Sequence, residues 1–170
     1  MNNIVLIGMP GTGKTVVGRA LAEQLNFTFV DLDDIIAEKA GKRLPEILRE
    51  DGLEAFLALE EQVGLEQDRT HTVIATGGSM VLSKAAMEHL KNDSITVWLE
   101  TPISQISERM PEDLWDRGIA ADPSMNIREI YEQRKPYYSQ YADLIIASRE
   151  GEDSTAHQVE EVIHLVGMQL

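Results

Sequence analysis

Residues 3–19, NIVLIGMPGTGKTVVGR, decide the fold of this chain, because they combine a buried strand, a glycine-rich turn and the start of a helix. From Gly8 to Thr15 the residues match the pattern G-x-x-x-x-G-K-[ST], which binds the phosphates of a nucleoside triphosphate. Glycine has no Cβ atom, so the backbone N–H groups of such a loop can approach a phosphate closely. The sequence therefore predicts a nucleotide site at the end of the first strand.

The residues of this loop have distinct expected roles. The backbone of Gly11, Thr12 and Gly13 is expected to surround the phosphates. Lys14 is expected to reach the β- and γ-phosphates. Thr15 opens the following helix, so its hydroxyl can bind Mg²⁺ while the helix N-terminus faces negative charge. A turn that only connects a strand to a helix would also contain glycines, but the strand and helix patterns on either side favour nucleotide binding.

The composition limits the classes of function. The chain has 170 residues, which suits a single domain spanning residues 1–170. It has no cysteine, which excludes disulfides and thiolate metal sites, and it shows neither a signal-peptide pattern nor a membrane-span pattern. We therefore expect a cytoplasmic protein. The net charge of −14 disfavours binding to nucleic acid or to an anionic membrane, because such surfaces need clustered lysine and arginine.

Two acids follow the second predicted strand. In an extended chain Asp31 and Asp33 point to the same side, whereas Leu32 points to the core. Ligands of open α/β sheets bind at the carboxyl ends of the strands, so the pair is predicted to be functional. The alternative is that Asp33 or Asp34 caps the predicted helix Ile35–Ala40, which would explain one acid but not both.

Strand and helix patterns alternate through the rest of the chain, up to a strand at Asp143–Ala147 and a closing helix at His157–Met168. This alternation predicts a mostly parallel sheet of five strands with helices on both faces. The third strand ends in Gly77 and Gly78, which would serve equally to hold a ligand against the backbone or to make a tight turn. A later helix, Ile127–Tyr138, is expected to end near Pro136.

A long segment without periodicity, residues 111–126, carries Arg117 among several acids. Loops of this length in a compact domain are typically lids or disordered segments. A mobile loop that brings an arginine to the phosphates would exclude water and stabilise the transferred phosphoryl group. The alternative is an exposed Arg117 that pairs with Asp113 or Asp116. The loop context favours the lid.

The chain resembles the shikimate kinase family over nearly its whole length, in the phosphate loop, Asp31-Leu32-Asp33, Gly77-Gly78, Arg117 and Arg134-Lys135-Pro136-Tyr137. The resemblance implies a three-layer α/β/α fold with a five-stranded parallel sheet in the order 2-3-1-4-5. It also implies an acceptor-binding insertion at about residues 33–62 and a lid at about residues 111–126. The implied activity is transfer of the γ-phosphate of ATP to the 3-hydroxyl of shikimate, with Mg²⁺ as cofactor, in aromatic amino-acid biosynthesis. We further expect a monomer.

The resemblance assigns roles on the acceptor side of the site. Asp33 matches the aspartate that binds the shikimate hydroxyls and is the candidate base. Asp31 matches the aspartate that is linked to Mg²⁺. Gly77 and Gly78 match the start of a glycine triplet on which shikimate lies. Arg134 matches one of the arginines that bind the shikimate carboxylate.

The resemblance also assigns two arginines on the nucleotide side. Arg117 matches the arginine of the lid, and it joins Lys14 and Asp33 as a candidate catalytic residue. Arg109 matches the arginine that packs beside the adenine. Both are therefore predicted to contact ATP.

Three positions depart from the family pattern. Leu57 stands where the family usually has an arginine that binds the acceptor carboxylate. Loss of one charge-assisted pair forfeits about 1.5–3 kcal/mol, or roughly one to two powers of ten in affinity. Arg43 and Arg49 are the candidate substitutes. The glycine triplet ends in Ser79, and Gly118 follows the lid arginine where the family usually has proline.

Other functions remain open at this point. A kinase of the same fold could act on another hydroxy acid, a polyol or an amino-acid alcohol, and Leu57 is the reason to consider it. A nucleotide-binding regulatory module with little turnover is a different class, which Asp31, Asp33 and the lid arginine disfavour. A nucleoside-monophosphate kinase is disfavoured because the predicted acceptor region lacks a clear set of arginines for a second phosphate.

Overall fold

The computed structural model describes residues 2–148 and 154–167 of the chain. The strands are β1 (Asn3–Ile7), β2 (Thr28–Asp31), β3 (Thr72–Ala75), β4 (Ser94–Glu100) and β5 (Leu144–Ala147). The helices are α1 (Lys14–Leu25), α2 (Leu32–Ala40), α3 (Leu44–Asp51), α4 (Leu53–Leu65), α5 (Lys84–Lys91), α6 (Ile103–Arg109), α7 (Ile127–Tyr141) and α8 (Ser154–Gly167). Short 3₁₀ turns lie at Met80–Leu82 and Leu114–Arg117. Met168, predicted to end the last helix, lies outside the described residues.

The five strands form one sheet in the order β2-β3-β1-β4-β5, as predicted, and all neighbouring pairs are parallel. In this order β1 lies at the centre, with Ile4 opposite Val73 on one side and Ile95 on the other. The chain leaves β1 toward β2 and later returns to add β4 on the opposite side. This change of direction opens a crevice at the carboxyl end of β1, where open α/β sheets bind ligands.

Helices cover both faces of the sheet, which confirms the three-layer architecture. Successive side chains of β1 alternate between the two cores: Val5 and Ile7 pack with α2 to α7, whereas Ile4 and Leu6 pack with α1 and α8. This alternation follows from the period of two in a strand, and a central strand covered on both faces is apolar throughout. Among the described helices, none combines the length and the apolar character needed to cross a bilayer.

Helix α7 does not end near Pro136, as the sequence predicted, but continues to Tyr141. A proline inside a helix removes one hydrogen bond and costs about 3 kcal/mol or more. Beyond the proline, Tyr138 and Tyr141 are buried against the core, and the Tyr138 ring stacks on Trp98. Burial of two aromatic rings offsets the proline cost. The tertiary packing therefore overrides the local signal.

Candidate active site

A cavity of about 280 Å³ lies at the carboxyl edge of the sheet. Its walls come from the phosphate loop, the end of β2, helix α4, the turn after β3, the predicted lid (residues 111–126) and helix α7. The predicted site residues that line it are Gly11, Gly13, Lys14, Thr15, Asp31, Asp33, Gly77, Gly78, Arg117 and Arg134. Two predicted residues do not line the cavity: Thr12, which lies within the phosphate loop, and Arg109, which donates a hydrogen bond to it.

The phosphate loop requires glycine for two reasons. Gly11 and Gly13 have φ values of 78° and 87°, in the left-handed region that other residues rarely adopt. At Gly8 a Cβ atom would lie 2.7 Å from the carbonyl oxygen of Leu99, so the loop can pass over the end of β4 only without a side chain. The Thr12 hydroxyl donates a hydrogen bond to Met9 O at 3.0 Å. The Thr12 side chain therefore stabilises the loop, and its backbone N–H is the group that can contact a phosphate.

Lys14 is a buried cation at the start of α1. Its Nζ atom donates hydrogen bonds to Gly8 O at 2.7 Å and to Met9 O at 2.8 Å. Burial lowers the pKa of Lys14 to about 8, although the carboxylates of Asp33 and Asp31 oppose this shift. At pH 7 the side chain is still mostly protonated. The loop therefore presents a fixed positive charge beside the cavity, as the motif predicts.

Asp31 links α1 to α2. Its Oδ2 atom accepts a hydrogen bond from the Thr15 hydroxyl at 2.9 Å, and its Oδ1 atom accepts one from Asp33 N at 2.9 Å. Strand β2 ends at Asp31 and α2 begins at Leu32, so the cap of this helix is Asp31 and neither Asp33 nor Asp34. The predicted alternation along an extended strand is therefore wrong. Asp33 reaches the same cavity from the first helical turn instead.

Asp33 has the electrostatic character of a proton acceptor near neutral pH. Burial and, to a lesser degree, the neighbouring Asp31 raise the pKa of Asp33 to about 6, against the opposing effect of Lys14. A general base works best when its pKa is near the working pH. The Oδ1 atom lies 2.7 Å from the position that a Cβ atom of Gly77 would occupy. The carboxyl group therefore faces the turn after β3.

Gly77 and Gly78 are required by close approach and not only by the turn. A Cβ atom on Gly77 would lie 2.7 Å from Asp33 Oδ1 and 2.9 Å from Glu60 Oε2. A Cβ atom on Gly78 would lie 2.7 Å from Pro10 Cδ and 3.1 Å from Arg134 Nη1. These two glycines therefore keep open the part of the cavity that lies between the carboxyl groups and the arginine.

Glu60, on α4, is a site residue that the sequence analysis missed. Its side chain is 2 % exposed, and its Oε1 atom accepts a hydrogen bond from the Ser79 hydroxyl at 2.6 Å. Burial raises the pKa of Glu60 to about 7, although the Ser79 hydrogen bond opposes this. The sequence contained a signal for this burial, because the helical period places Glu60 on the same face of α4 as the buried residues Phe56 and Val63.

Glu60→Gln is expected to stabilise the protein more at high pH than at low pH. The folded-state pKa of Glu60 lies near 7, above its usual value of 4.5. The contribution of this carboxyl group to stability is therefore fully present below pH 4.5 and is lost as the pH rises through 7. The stability gained by the glutamine should grow by about 2 kcal/mol between about pH 5 and about pH 8. Urea unfolding of both proteins across this range measures it. An equal gain in Glu61→Gln would contradict the assignment.

Arg134 is a buried cation at the opposite end of the glycine turn. It is 1 % exposed, and its Nη2 atom donates a hydrogen bond to Ala120 O, in the lid, at 2.6 Å. The Tyr138 hydroxyl lies near the guanidinium but donates its own hydrogen bond to Gly78 O at 2.6 Å. Within residues 2–148 and 154–167, Nε and Nη1 of Arg134 have no hydrogen-bond partner of ordinary geometry. These two donors suit an anionic ligand.

The two lid-side arginines are connected through the main chain. Arg117 Nη1 donates a hydrogen bond to Arg109 O at 3.0 Å, and Arg109 Nη1 donates one to Gly11 O at 2.6 Å. Arg117 is exposed and lines the cavity, as a lid arginine would. Arg109 lies outside the cavity, against the phosphate loop.

Neither candidate substitute for the missing arginine lines the cavity. Arg49 pairs instead with Asp113 and Asp116 of the lid, which also removes these acids as the alternative partners of Arg117. Arg43 precedes α3, outside the cavity wall. Leu57 faces a second cavity, on the far side of the Glu60–Ser79 hydrogen bond. Among the described residues, the cations that line the main cavity are Lys14, Arg117 and Arg134.

Comparison with known proteins gives one consistent family. The sequence model described as "Shikimate kinase" matches residues 10–165. A shikimate kinase of Nostoc punctiforme is 40 % identical over 167 residues, which covers 95 % of this chain and 90 % of the relative. One of Persephonella marina is 37 % identical over 150 residues, covering 87 % and 90 %. The solved shikimate kinase of Acinetobacter baumannii, in complex with shikimate, superposes with a TM-score of 0.86 at 30 % identity, over 99 % of this chain and 94 % of that one.

Proposed function

The chain belongs to the shikimate kinase family, whose members are ATP-dependent phosphotransferases with a hydroxyl acceptor, and we propose that it phosphorylates shikimate through the residues of the cavity at β1. The observation that carries the proposal is the placement of Asp33 and Arg134 against Gly77 and Gly78, beside the phosphate loop. A small hydroxy acid on this turn has a base at one end and a cation at the other. Shikimate has both the hydroxyl and the carboxylate that such a site needs.

On the nucleotide side, the loop from Gly8 to Thr15 binds the phosphates of ATP through its backbone N–H groups. Lys14 turns from the carbonyl oxygens it now contacts to the β- and γ-phosphates, and Arg117 approaches from the lid. Both cations offset the charge that develops on the transferred phosphoryl group. The position of Arg109 beside Gly11 supports a role next to the nucleotide rather than at the reacting phosphate.

We propose a Mg²⁺ site at Thr15 and Asp31. Their oxygens already lie 2.9 Å apart, and hydroxyl and carboxylate oxygens are the ligands that Mg²⁺ prefers. Thr15 would bind the ion directly and Asp31 through water. When bound with ATP, Mg²⁺ neutralises charge on the phosphate oxygens.

On the acceptor side, Asp33 orients the 3-hydroxyl of shikimate and accepts its proton. The hydroxyl oxygen then forms a bond to the γ-phosphorus, and the bond from this phosphorus to the bridging oxygen breaks to release ADP. Arg134 binds the carboxylate with the two donors that have no partner of ordinary geometry among the described residues. Gly77 and Gly78 leave room for the ring between these two groups.

We assign residues 33–62 as the acceptor-binding insertion and residues 111–126 as the lid of a single domain. Both assignments are supported by the cavity wall, to which Asp33 and Glu60 of the first segment and Arg117 and Ala120 of the second contribute. A monomer is sufficient for this mechanism, since one chain supplies all the proposed groups. The reaction consumes ATP, which is supplied in the cytoplasm, and this favours a cytoplasmic location.

The experiment that tests the proposal is a coupled ADP-release assay with ATP, Mg²⁺ and shikimate, run beside quinate, homoserine and a control without acceptor. We expect saturable release of ADP that depends on shikimate. Activity only with another acceptor would mean that the protein is a kinase with a different substrate. The absence of an arginine at Leu57 would then be the structural reason. ADP release that no acceptor increases would favour a regulatory nucleotide-binding module.

A further inference from the structure

The two carboxyl oxygens of Glu60 have different surroundings. The Oε1 atom accepts a hydrogen bond from the Ser79 hydroxyl at 2.6 Å. The Oε2 atom has no hydrogen-bond partner in the part of the chain that the structure describes, although the side chain is only 2 % exposed. A buried polar atom without a partner costs free energy, and such atoms in native proteins are rare. The Oε2 atom is therefore suited to a ligand.

This oxygen lies beside Gly77, in a side chain that lines both the main cavity and the second one. It lies 2.9 Å from the position that a Cβ atom of Gly77 would occupy, and Asp33 Oδ1 lies 2.7 Å from the same position. The two carboxyl groups come from different helices, α4 and α2, and meet over Gly77, which has no side chain. They are close enough to bind neighbouring hydroxyl groups of one small molecule.

Among the residues that the structure describes, none forms an ion pair with Glu60. Leu57, one helical turn earlier, cannot provide a cation, and Arg49 is occupied by lid acids. Arg134 lies near enough to influence Glu60 electrostatically, but the described residues show no hydrogen bond between them. A hydroxyl group can donate to a carboxylate and accept from a protonated carboxyl group, so either form of Glu60 can bind it.

We propose that Glu60 is a specificity-determining residue for the acceptor. Its Oε2 atom binds the 4-hydroxyl of shikimate, next to the 3-hydroxyl that Asp33 activates. The site thereby selects hydroxy acids that carry two neighbouring hydroxyl groups. This inference rests on the proposed function and adds a contact to it.

The test compares shikimate with 4-deoxyshikimate in the ADP-release assay. Glu60→Met removes both oxygens at similar length, and we expect it to raise the KM for shikimate about tenfold with little change in kcat. The same variant should leave the KM for 4-deoxyshikimate unchanged, because that molecule lacks the contacted group. Such non-additivity is the signature of a direct contact.

Three further variants make the test specific. Glu60→Gln keeps the shape and an oxygen for Ser79, so it should fold, and it should raise the KM for shikimate alone by a smaller factor. Ser79→Ala removes the hydrogen bond to Oε1 but leaves Oε2 in place, and it should affect both acceptors alike. Glu61→Gln makes the same change one residue away, at a side chain that faces the second cavity, and should leave both KM values unchanged.

The outcomes separate the contact from the proposed function. Equal increases of KM for both acceptors in the two Glu60 variants would assign Glu60 to packing and overturn the contact, while shikimate turnover by the wild-type enzyme would keep the proposed function. Unchanged KM values in these variants would overturn the contact as well. A wild-type enzyme that releases no ADP with either acceptor would overturn the proposed function, and the assignment of the 4-hydroxyl with it.

Discussion

Replacing Lys14 with alanine should lower kcat/KM for shikimate-dependent ADP release by roughly 10³-fold or more. Lys14 is a cation already inside the loop, since its Nζ atom contacts Gly8 O and Met9 O at 2.7 and 2.8 Å. Its loss removes positive charge from the phosphates. It also removes the group that lowers the pKa of Asp33, so the base becomes harder to ionise. Steady-state kinetics with ATP and shikimate measure the combined effect.

A matched control is Lys39→Ala. Lys39 pairs with Glu66 at 2.8 Å on the outer side of α2, away from the cavity. This variant should keep wild-type kinetics, which separates the loss of one particular cation from the general loss of a lysine. Wild-type activity in Lys14→Ala would contradict the mechanism, because Lys14 is the buried cation that it assigns to the β- and γ-phosphates.

Asp33→Asn should lower kcat by roughly 10²- to 10³-fold, the range expected when a general base is removed. Asparagine keeps the shape of the side chain and the backbone N–H that donates to Asp31 Oδ1, so the cap of α2 remains. It cannot accept a proton from the acceptor hydroxyl. The KM for ATP should stay within a few-fold of the wild-type value, since the phosphate loop is untouched.

The neighbouring carboxyl provides the control for this prediction. Asp34 is exposed and does not line the cavity, so Asp34→Asn should be as active as the wild type. Turnover of Asp33→Asn at the native rate would mean that Asp33 orients the acceptor without accepting its proton. Circular dichroism and thermal unfolding of both variants test whether the fold is intact.

The phosphate loop and the sheet order were predictable because their signals are local and mutually consistent. A strand, glycines at fixed spacing and a helix occur in one run from Asn3, and the alternation that follows restricts the topology. Asp31 and Asp33 were correctly predicted to lie at the same cavity, but the predicted reason, the alternation of side chains along an extended strand, was wrong. Helix α2 begins one residue after the strand, because Asp31 caps it with its own side chain.

The features that the sequence did not reveal depend on contacts between distant segments. The buried position of Glu60 depends on Ser79, which donates a hydrogen bond to it, and on the space at Gly77. Arg49 was a candidate for the cavity, but the acids of the lid bind it instead. Helix α7 passes Pro136 because the rings beyond it are buried. In each case the deciding partner lies far away along the chain.

Arg49 also connects the segment assigned to the acceptor with the segment assigned to the nucleotide. It joins α3, in the segment assigned to the acceptor, to Asp113 and Asp116 of the lid, and Gly118 packs so closely on Leu44 that a Cβ atom would lie 2.8 Å from Leu44 Cβ. We therefore expect a displacement of α3 to move the loop that carries Arg117. Thermodynamic reciprocity then requires that shikimate changes the affinity for ATP by the same factor as ATP changes the affinity for shikimate.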